Sequence, residues 1–332
     1  MIKQTLKYLF EYKTLNREKA REILVNIAMQ KYNHSEMVAF MSVYMMRPIT
    51  VEELSGFMDA LKELGTAVNL RGAETIDLCG TGGDGKNTFN ISTISSFVVA
   101  GAGIKVAKHG NYGVSSNCGS SNVLESLGYK FTSDQDVLNR QIEKANICFL
   151  HAPLFNQAMK VVAPIRKELG IKTFFNMLGP LVNPANPVNQ MCGVYSLELG
   201  RLYNYLFQQT GKQFAIVHAL DGYDEISLTG GFKLFSNQGE RIIHPSQMNL
   251  PTTTHDQISG GETIDQARKI FIDVISGKGT PAQNAVIVAN SAIAIHCAKP
   301  QLSIEEALQQ ASESLLGKKA LHSFQKLMLQ SN

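Results

Sequence analysis

Between residues 77 and 93 the chain reads DLCGTGGDGKNTFNIST, an apolar run that ends in a glycine-rich turn and continues as a helix. Glycine lets the backbone take positive φ and lets amide N–H groups come close to an anion, while the start of the following helix adds a favourable dipole. The chemistry such a loop serves is phosphate binding. Two familiar loops nearly fit. Gly80, Gly82 and Gly85 satisfy the GxGxxG spacing of dinucleotide folds, yet the next apolar run ends in Lys108 and His109, where those folds place an acid for the ribose hydroxyls. Gly80 to Lys86 mimics the phosphate loop of nucleotide triphosphatases, but Asn87 stands where a magnesium-binding hydroxyl belongs. A phosphate site of another kind is what remains.

A second stretch, KHGNYGVSSNCGSS at residues 108 to 121, again follows an apolar run and precedes a helix expected to begin near Asn122. Lys108 offers a point charge, and Ser115, Ser116 and Ser120, with neighbouring N–H groups, offer hydrogen bonds to a second phosphate group. Two such loops suit a ligand with phosphates at both ends.

The elements that must position these loops are legible in the apolar spacing. Residues 1 to 66 read as helix after helix. Leu6, Leu9 and Phe10 repeat at helical spacing, and Ala20, Ile23, Leu24 and Ile27 do so after a start signal at Asn16. Thr50 and Glu53 have capping-box spacing before Leu54, Phe57, Met58 and Leu61, with Gly65 as the stop. From about residue 74, short apolar runs (75 to 79, 104 to 107, 147 to 150, 214 to 218) alternate with helical stretches. That alternation predicts β-α units around a largely parallel sheet, with ligands beyond the carboxyl ends of the strands. An amphipathic segment from about 156 to 178 reads as a helix returned to the first unit. NAVIVANSAIAIHC, residues 284 to 297, is apolar almost all round and reads as a buried core helix. The expected division is a helical domain over 1–70, completed by about 163–186, and an α/β domain over 71–162 and 187–332.

Bulk properties narrow the class. The 332 residues are 44% hydrophobic and 18% charged, with a net charge of +3 and no long basic run, which argues against nucleic acid as partner. The five cysteines, Cys79, Cys118, Cys148, Cys192 and Cys297, form no zinc-type spacing and read as free thiols of a cytoplasmic protein. No apolar run approaches the roughly 20 residues that span a bilayer, and the N-terminus lacks a signal-peptide pattern.

Read in order, GTGGDG, NTFNIST and KHGN resemble the anthranilate phosphoribosyltransferases. The resemblance continues through Ala152 and Pro153, IRKELGIKTFFNMLGPLVNP at 165 to 184, DGYDEIS at 221 to 227 and the helix from Asn284 to Ala294. It implies an α/β fold in which a small all-helical domain packs against a larger α/β domain with a mostly parallel central sheet, similar to pyrimidine nucleoside phosphorylases, with the active site in the cleft between them. It also implies transfer of the 5-phosphoribosyl group from phosphoribosyl diphosphate (PRPP) to the amino group of anthranilate, a step of tryptophan biosynthesis, with Mg2+, two ions per active site, in a cytoplasmic homodimer. The acidic PRPP fingerprint of ordinary phosphoribosyltransferases is absent from that family and from this chain.

Carried over position by position, the resemblance places Gly80, Gly83, Asp84, Thr88, Asn90, Ile91, Ser92 and Thr93 around PRPP. Lys108, His109, Gly110, Asn111, Tyr112, Gly113, Val114, Ser115, Ser116 and Ser120 surround the rest of it. Ser92, Asp224 and Glu225 serve the metal. Gly80, Asn111 and Arg166 meet anthranilate, with His109, Ala152, Pro153, Met177 and Gly179 lining its approach. Two departures stand out: Tyr112 and Gly113 replace an Arg and a small residue after KHGN, and Asn156 and Gln157 replace a usual His-Pro. Contacts through backbone N–H groups are expected to survive those changes.

The chemistry fits these residue types. Loss of diphosphate from a ribose carbon builds negative charge on the leaving group, where Mg2+ held by carboxylates and phosphate oxygens acts. Adjacent acids on a regular strand point to opposite faces, so Asp224 and Glu225 can share an ion only in a turn, which Gly222 favours. An aromatic amine is already neutral near pH 7 and needs no strong base; His109 either accepts a proton late or is held structurally. A guanidinium such as Arg166 can grip the substrate's carboxylate in a fork. The nearest rival, a nucleoside phosphorylase, has no use for the acid pair, and a non-catalytic nucleic-acid-binding relative should show a basic stripe.

Overall fold

The computed structural model describes residues 2–113 and 118–331. In chain order, α1 (Ile2–Phe10), α2 (Arg17–Ala28), α3 (His34–Met46) and α4 (Val51–Leu64) precede β1 (Ile76–Gly80). Then come α5 (Ile91–Gly101), β2 (Val106–Gly110), α6 (Ser120–Ser126), α7 (Gln135–Ala145), β3 (Ile147–His151), α8 (Ala152–Phe155) and α9 (Ala158–Leu169). The remainder is β4 (Asn189–Gly193), α10 (Leu197–Gln208), β5 (Gln213–Ala219), β6 (Phe232–Ser236), β7 (Gly239–Ile243), α11 (Ile264–Ile275), α12 (Pro281–Ala298), α13 (Ile304–Leu316) and α14 (Lys319–Leu329).

The chain divides into two compact units: residues 1–68 with 152–184, and residues 69–151 with 185–332. The first is helical. Asn16 caps α2 by accepting the Lys19 N–H, and Thr50 and Glu53 form the capping box of α4. Gly56 lets α4 lie directly on α2, since a Cβ there would fall 2.7 Å from that of Ala20. Phe40, Tyr44 and Phe57 form an aromatic core with Phe174 of the second segment, which stacks on Phe57 at 4.6 Å. Phe10, expected on the apolar face of α1, is exposed instead. The second segment of this unit runs from Ala152 to Pro184, where the expected division placed it at about 163–186 and the amphipathic pattern began at about 156. Main-chain bonds explain the difference: Thr66 N–H donates to Phe155 O at 2.8 Å and Val68 N–H to Pro184 O at 2.9 Å. Periodicity is blind to such bonds.

The second unit is built on a seven-stranded sheet in the order β3-β2-β1-β4-β5-β6-β7, in which β3, β2, β1, β4 and β5 are parallel and β6 and β7 antiparallel. The order reverses at β1, whose neighbours are β2 and β4, so the loops leaving β1 and β4 open the crevice where α/β sheets bind ligands. β2, β3 and β4 are buried without alternation, as parallel strands covered on both faces must be. α12 packs on β4, β5 and α5, and it carries its polar Asn290 into this core. Among the described residues no helix is long and apolar enough to cross a membrane.

Candidate active site

The site in the second unit begins where β1 ends. Gly82 and Gly83 take φ of +63° and +80°, left-handed values that favour glycine, and turn the chain away from the strand. Opposite them runs the turn after β5. Gly222, at φ +99°, makes the bend that places Asp224 and Glu225 outside any regular strand. Asp224 Oδ2 accepts the Gly82 N–H at 2.7 Å, and Glu225 Oε1 accepts the Ser92 N–H at 3.0 Å in the first turn of α5. Both acids are thereby fixed to the glycine loop. Asn290 of α12 clamps the next residue, accepting Ile226 N–H at 3.1 Å and donating to Ile226 O at 2.8 Å. The space for Asp224 exists because its neighbours lack side chains: a Cβ on Gly80 would lie 2.6 Å from Asp224 Oδ2.

Asp84 completes an acidic group, its Oδ2 accepting the Asp224 N–H at 3.4 Å. Burial and the nearby Asp84 charge push the Asp224 carboxyl up to about 7, and burial with the Asp224 charge pushes Glu225 well above its ordinary value. Hard oxygen donors under mutual repulsion are the donor set that suits a small divalent cation. Among the described residues no three His, Cys, Asp or Glu side chains close a complete metal cage. One or two carboxylates plus ligand oxygens match the habit of Mg2+.

The remaining residues expected around PRPP are gathered in the same unit, though not all by their side chains. Asn90 donates to Cys118 O at 3.0 Å and so ties the glycine loop to the second loop. Ile91 and Thr93 are buried, and the Ile91 N–H donates to Phe89 O at 2.6 Å. Thr88 bridges to Ser259. Lys108, His109 and Gly110 lie within β2 rather than in the loop after it, because the strand runs three residues further than its apolar pattern. Lys108 is 2% exposed, its ammonium donating to Leu78 O at 2.6 Å and His109 O at 3.3 Å. His109 N–H donates in turn to the buried Asp77 carboxylate at 3.0 Å, which also accepts from Gln190 Nε2. Side chains therefore help lace β1 to β2 beside the pairing of Ile76 with Val106.

The main-chain N–H groups of Tyr112 and Gly113, expected to keep their contacts despite the changed side chains, are bonded within the second loop and its following helix. Tyr112 N–H donates to Asn111 Oδ1 at 2.8 Å and Gly113 N–H to Asn122 Oδ1 at 2.9 Å. The Tyr112 ring meets His151 edge-on at 4.9 Å, its hydroxyl reaches Glu125, and His151 stacks on Phe131. Helix α6 starts at Ser120, two residues before the predicted point, with Ser120 Oγ donating to Asn111 O. Val114, Ser115 and Ser116 lie outside the described residues.

The residues expected to meet anthranilate are divided between the units. Gly80, His109 and Asn111 belong to the second. Ala152, Pro153, Arg166, Met177 and Gly179 belong to the first. Arg166, on α9, donates to Asn176 Oδ1 at 3.3 Å and lies over the Phe175 ring at 5.8 Å; burial lowers its pKa. Asn156, one of the two departures, is buried and donates to Leu61 O at 3.5 Å. Asp77, Asn122 and Asn290 escaped the sequence reading. A lone acid in the apolar run TIDLC and a lone Asn in an apolar helix were the available signals.

Comparison with known proteins now bears on this geometry. The α/β-domain model of a glycosyl transferase family matches residues 72–321, and its helical bundle domain model matches residues 3–65. An anthranilate phosphoribosyltransferase of Cytophaga hutchinsonii is 55% identical over 325 residues, covering 98% of this chain and 99% of that protein. The chain belongs to the anthranilate phosphoribosyltransferase family. A member from Bacteroides thetaiotaomicron is 51% identical with both chains covered in full. The family's solved structures agree: that from Thermus thermophilus superposes with a TM-score of 0.91 at 27% identity, covering 98% of this chain and 99% of its own. The Saccharomyces cerevisiae enzyme, solved in complex with PRPP and Mg, gives 0.91 at 26% identity over 99% and 97% of the two chains.

Proposed function

We propose that this chain transfers the 5-phosphoribosyl group of PRPP to the amino nitrogen of anthranilate, releasing diphosphate, as a step of tryptophan biosynthesis. The observation that carries the reading is the fixing of Asp224 and Glu225 to the glycine loop through Gly82 and Ser92. Hard carboxylates held against a phosphate-binding turn are what departure of a diphosphate requires. Mg2+, two ions per site, would be held by Asp224, Glu225 and Ser92 and would supply charge neutralisation on the leaving diphosphate.

The chain's own groups bind and orient. Gly80, Gly83, Asp84, Thr88 and Asn90 to Thr93 hold the diphosphate and ribose. The second loop, Lys108 to Gly113 and Ser120 among the described residues, holds the phosphate end. Arg166 reads the anthranilate carboxylate, with Ala152, Pro153, Met177 and Gly179 beside the ring, and Asn111 and His109 near the amine. As the amine nitrogen bonds to the ribose carbon, the bond to diphosphate breaks with its electron pair and one N–H proton then passes to water; the neutral amine needs no prior deprotonation. The chain is further proposed to act as a cytoplasmic homodimer.

The decisive test is PRPP-dependent consumption of anthranilate by the purified chain, with and without Mg2+. Consumption that needs both is expected. Consumption unaltered by magnesium removal would overturn the metal assignment, and none at all would overturn the reaction.

A further inference from the structure

The residue that follows the acid pair, Ile226, is fully buried and lies in neither helix nor strand. Its main-chain N–H and O therefore need partners that regular structure does not supply. Both are found in one amide: Asn290 Oδ1 accepts the Ile226 N–H at 3.1 Å, and Asn290 Nδ2 donates to Ile226 O at 2.8 Å. Nδ2 also donates to Val286 O at 2.9 Å, one turn back on α12. These three bonds fix which end of the amide faces which way. α12 is buried over most of its length, where an amide without such partners costs free energy. Two residues beyond Ile226, Leu228 is held at φ +60°, a left-handed value that a bulky side chain adopts only under constraint. Thr253 supplies part of that constraint, giving its N–H to Leu228 O at 2.9 Å and its hydroxyl to Ser227 O at 2.7 Å. The acids are thus held through Gly82 and Ser92 on one side, and on the other through a segment pinned by side chains.

We propose that Asn290 is a positioning residue for the divalent cation: by clamping Ile226 it holds Asp224 and Glu225 against the glycine loop before the metal arrives. This rests on reading the acid pair as the metal's ligands. Asn290 acts through the main chain of Ile226. Outer partners that orient metal ligands are worth about ten- to a hundredfold in metal affinity or activity. Loss of the clamp therefore raises the Mg2+ requirement and leaves anthranilate nearly untouched.

The test compares two variants with a control. Asn290→Leu fills the space with an apolar side chain and removes all three bonds. Asn290→Ser is short, and its hydroxyl can bond Val286 O while both Ile226 groups are released. Ser314→Ala, which deletes a 2.7 Å bond from α13 to Val98 O, is the control for lost stability alone. In metal-free protein, amide hydrogen exchange should quicken at Ile226 in both Asn290 variants, and also at Gly82 and Ser92, whose N–H groups the acids hold. The control should keep Gly82 and Ser92 at parental rates. The Mg2+ concentration for half-maximal activity should rise about tenfold or more in the Asn290 variants, with the anthranilate KM within about twofold of the parent. A merely structural role would lower the active fraction and leave that half-saturating concentration unmoved, and this result overturns the proposal. So does faster exchange at Ile226 with Gly82 and Ser92 still protected, a control that raises the Mg2+ requirement as much, or failure of both Asn290 variants to fold. A parent active without Mg2+ would overturn the reading of the acid pair itself, whereas a parent that needs Mg2+ beside variants with the same requirement would overturn the clamp alone.

Discussion

Gly193, the last residue of β4, runs so close to Asp224 that a Cβ on it would lie 1.6 Å from the Asp224 carbonyl oxygen. The carboxylate's place is thus set by what an adjacent strand lacks. Gly193→Ala must push the acid turn outward while leaving β4 paired with β1 and β5. A displacement of about 1 Å can cost about a hundredfold in rate, so kcat/KM should fall by about that factor with the circular dichroism spectrum retained. Parental kcat/KM in a folded Ala variant would show that the acid turn does not need this exact seat.

Asp224→Asn with Glu225→Gln separates activity from stability. Turnover should fall about a hundredfold or more, since charge stabilisation at a leaving group is a large effect. Metal-free protein should melt at a higher temperature near pH 8 than the parent, because burial and mutual repulsion disfavour the ionised pair. The sign follows from the raised carboxyl: its contribution is fully present below the ordinary 3.8 and is lost as pH rises through about 7. A double variant that melts lower than the parent in chelator refutes the account.

Lys108→Met tests the proposed phosphate contact beside the observed bond to Leu78 O. Removing the ammonium leaves Leu78 O without its 2.6 Å donor, at a cost of about 1 to 3 kcal/mol in urea unfolding. PRPP affinity by calorimetry should fall about tenfold or more, with the anthranilate KM less affected. Lost stability with unchanged PRPP affinity would reduce Lys108 to the lacing of β1 and β2.

For Arg166→Ala, the anthranilate KM should rise by the equivalent of about 1.5 to 3 kcal/mol, the worth of a hydrogen bond to a charged group. PRPP binding should hardly change, and preference for anthranilate over aniline should shrink. Steady-state kinetics on both amines decides. An undiminished preference assigns the carboxylate to another residue.

Glu53 governs the acid response of the helical unit. Burial raises its carboxyl, but Arg47 and the N–H groups of Leu15 and Thr50 outweigh that and hold it below 4.5. The stability it confers is present above 4.5 and disappears as pH falls through the lowered value. Glu53→Gln should cost about 3 to 5 kcal/mol at pH 7, because the Arg47 side chain, 8% exposed, loses its counter-charge. Unfolding curves of variant and parent should lie apart at pH 7 and draw together as the pH falls toward 3. Curves that stay equally far apart at both values would remove Glu53 as the source.

Much of this was legible from residue order because glycine and capping chemistry act locally. Asn16, Thr50 and Glu53 cap where their spacing says, and Gly222 turns the chain before Asp224 and Glu225 as expected. β4 was hidden, since Asn189 and Gln190 give NQMCG no apolar signature; Gln190 is polar because it answers Asp77 across the strand. Asn122 was equally silent. Its partner at Gly113 is a main-chain group, and no pattern of side chains records where a backbone N–H points.

Asp77 and Lys108 also constrain how such a chain can change over generations. Each serves the main chain of the other's strand, Asp77 taking His109 N–H and Lys108 giving to Leu78 O. A substitution at either position strands a buried polar group on the opposite strand, so each position resists change on its own account, and the two loops that leave these strands share that restraint.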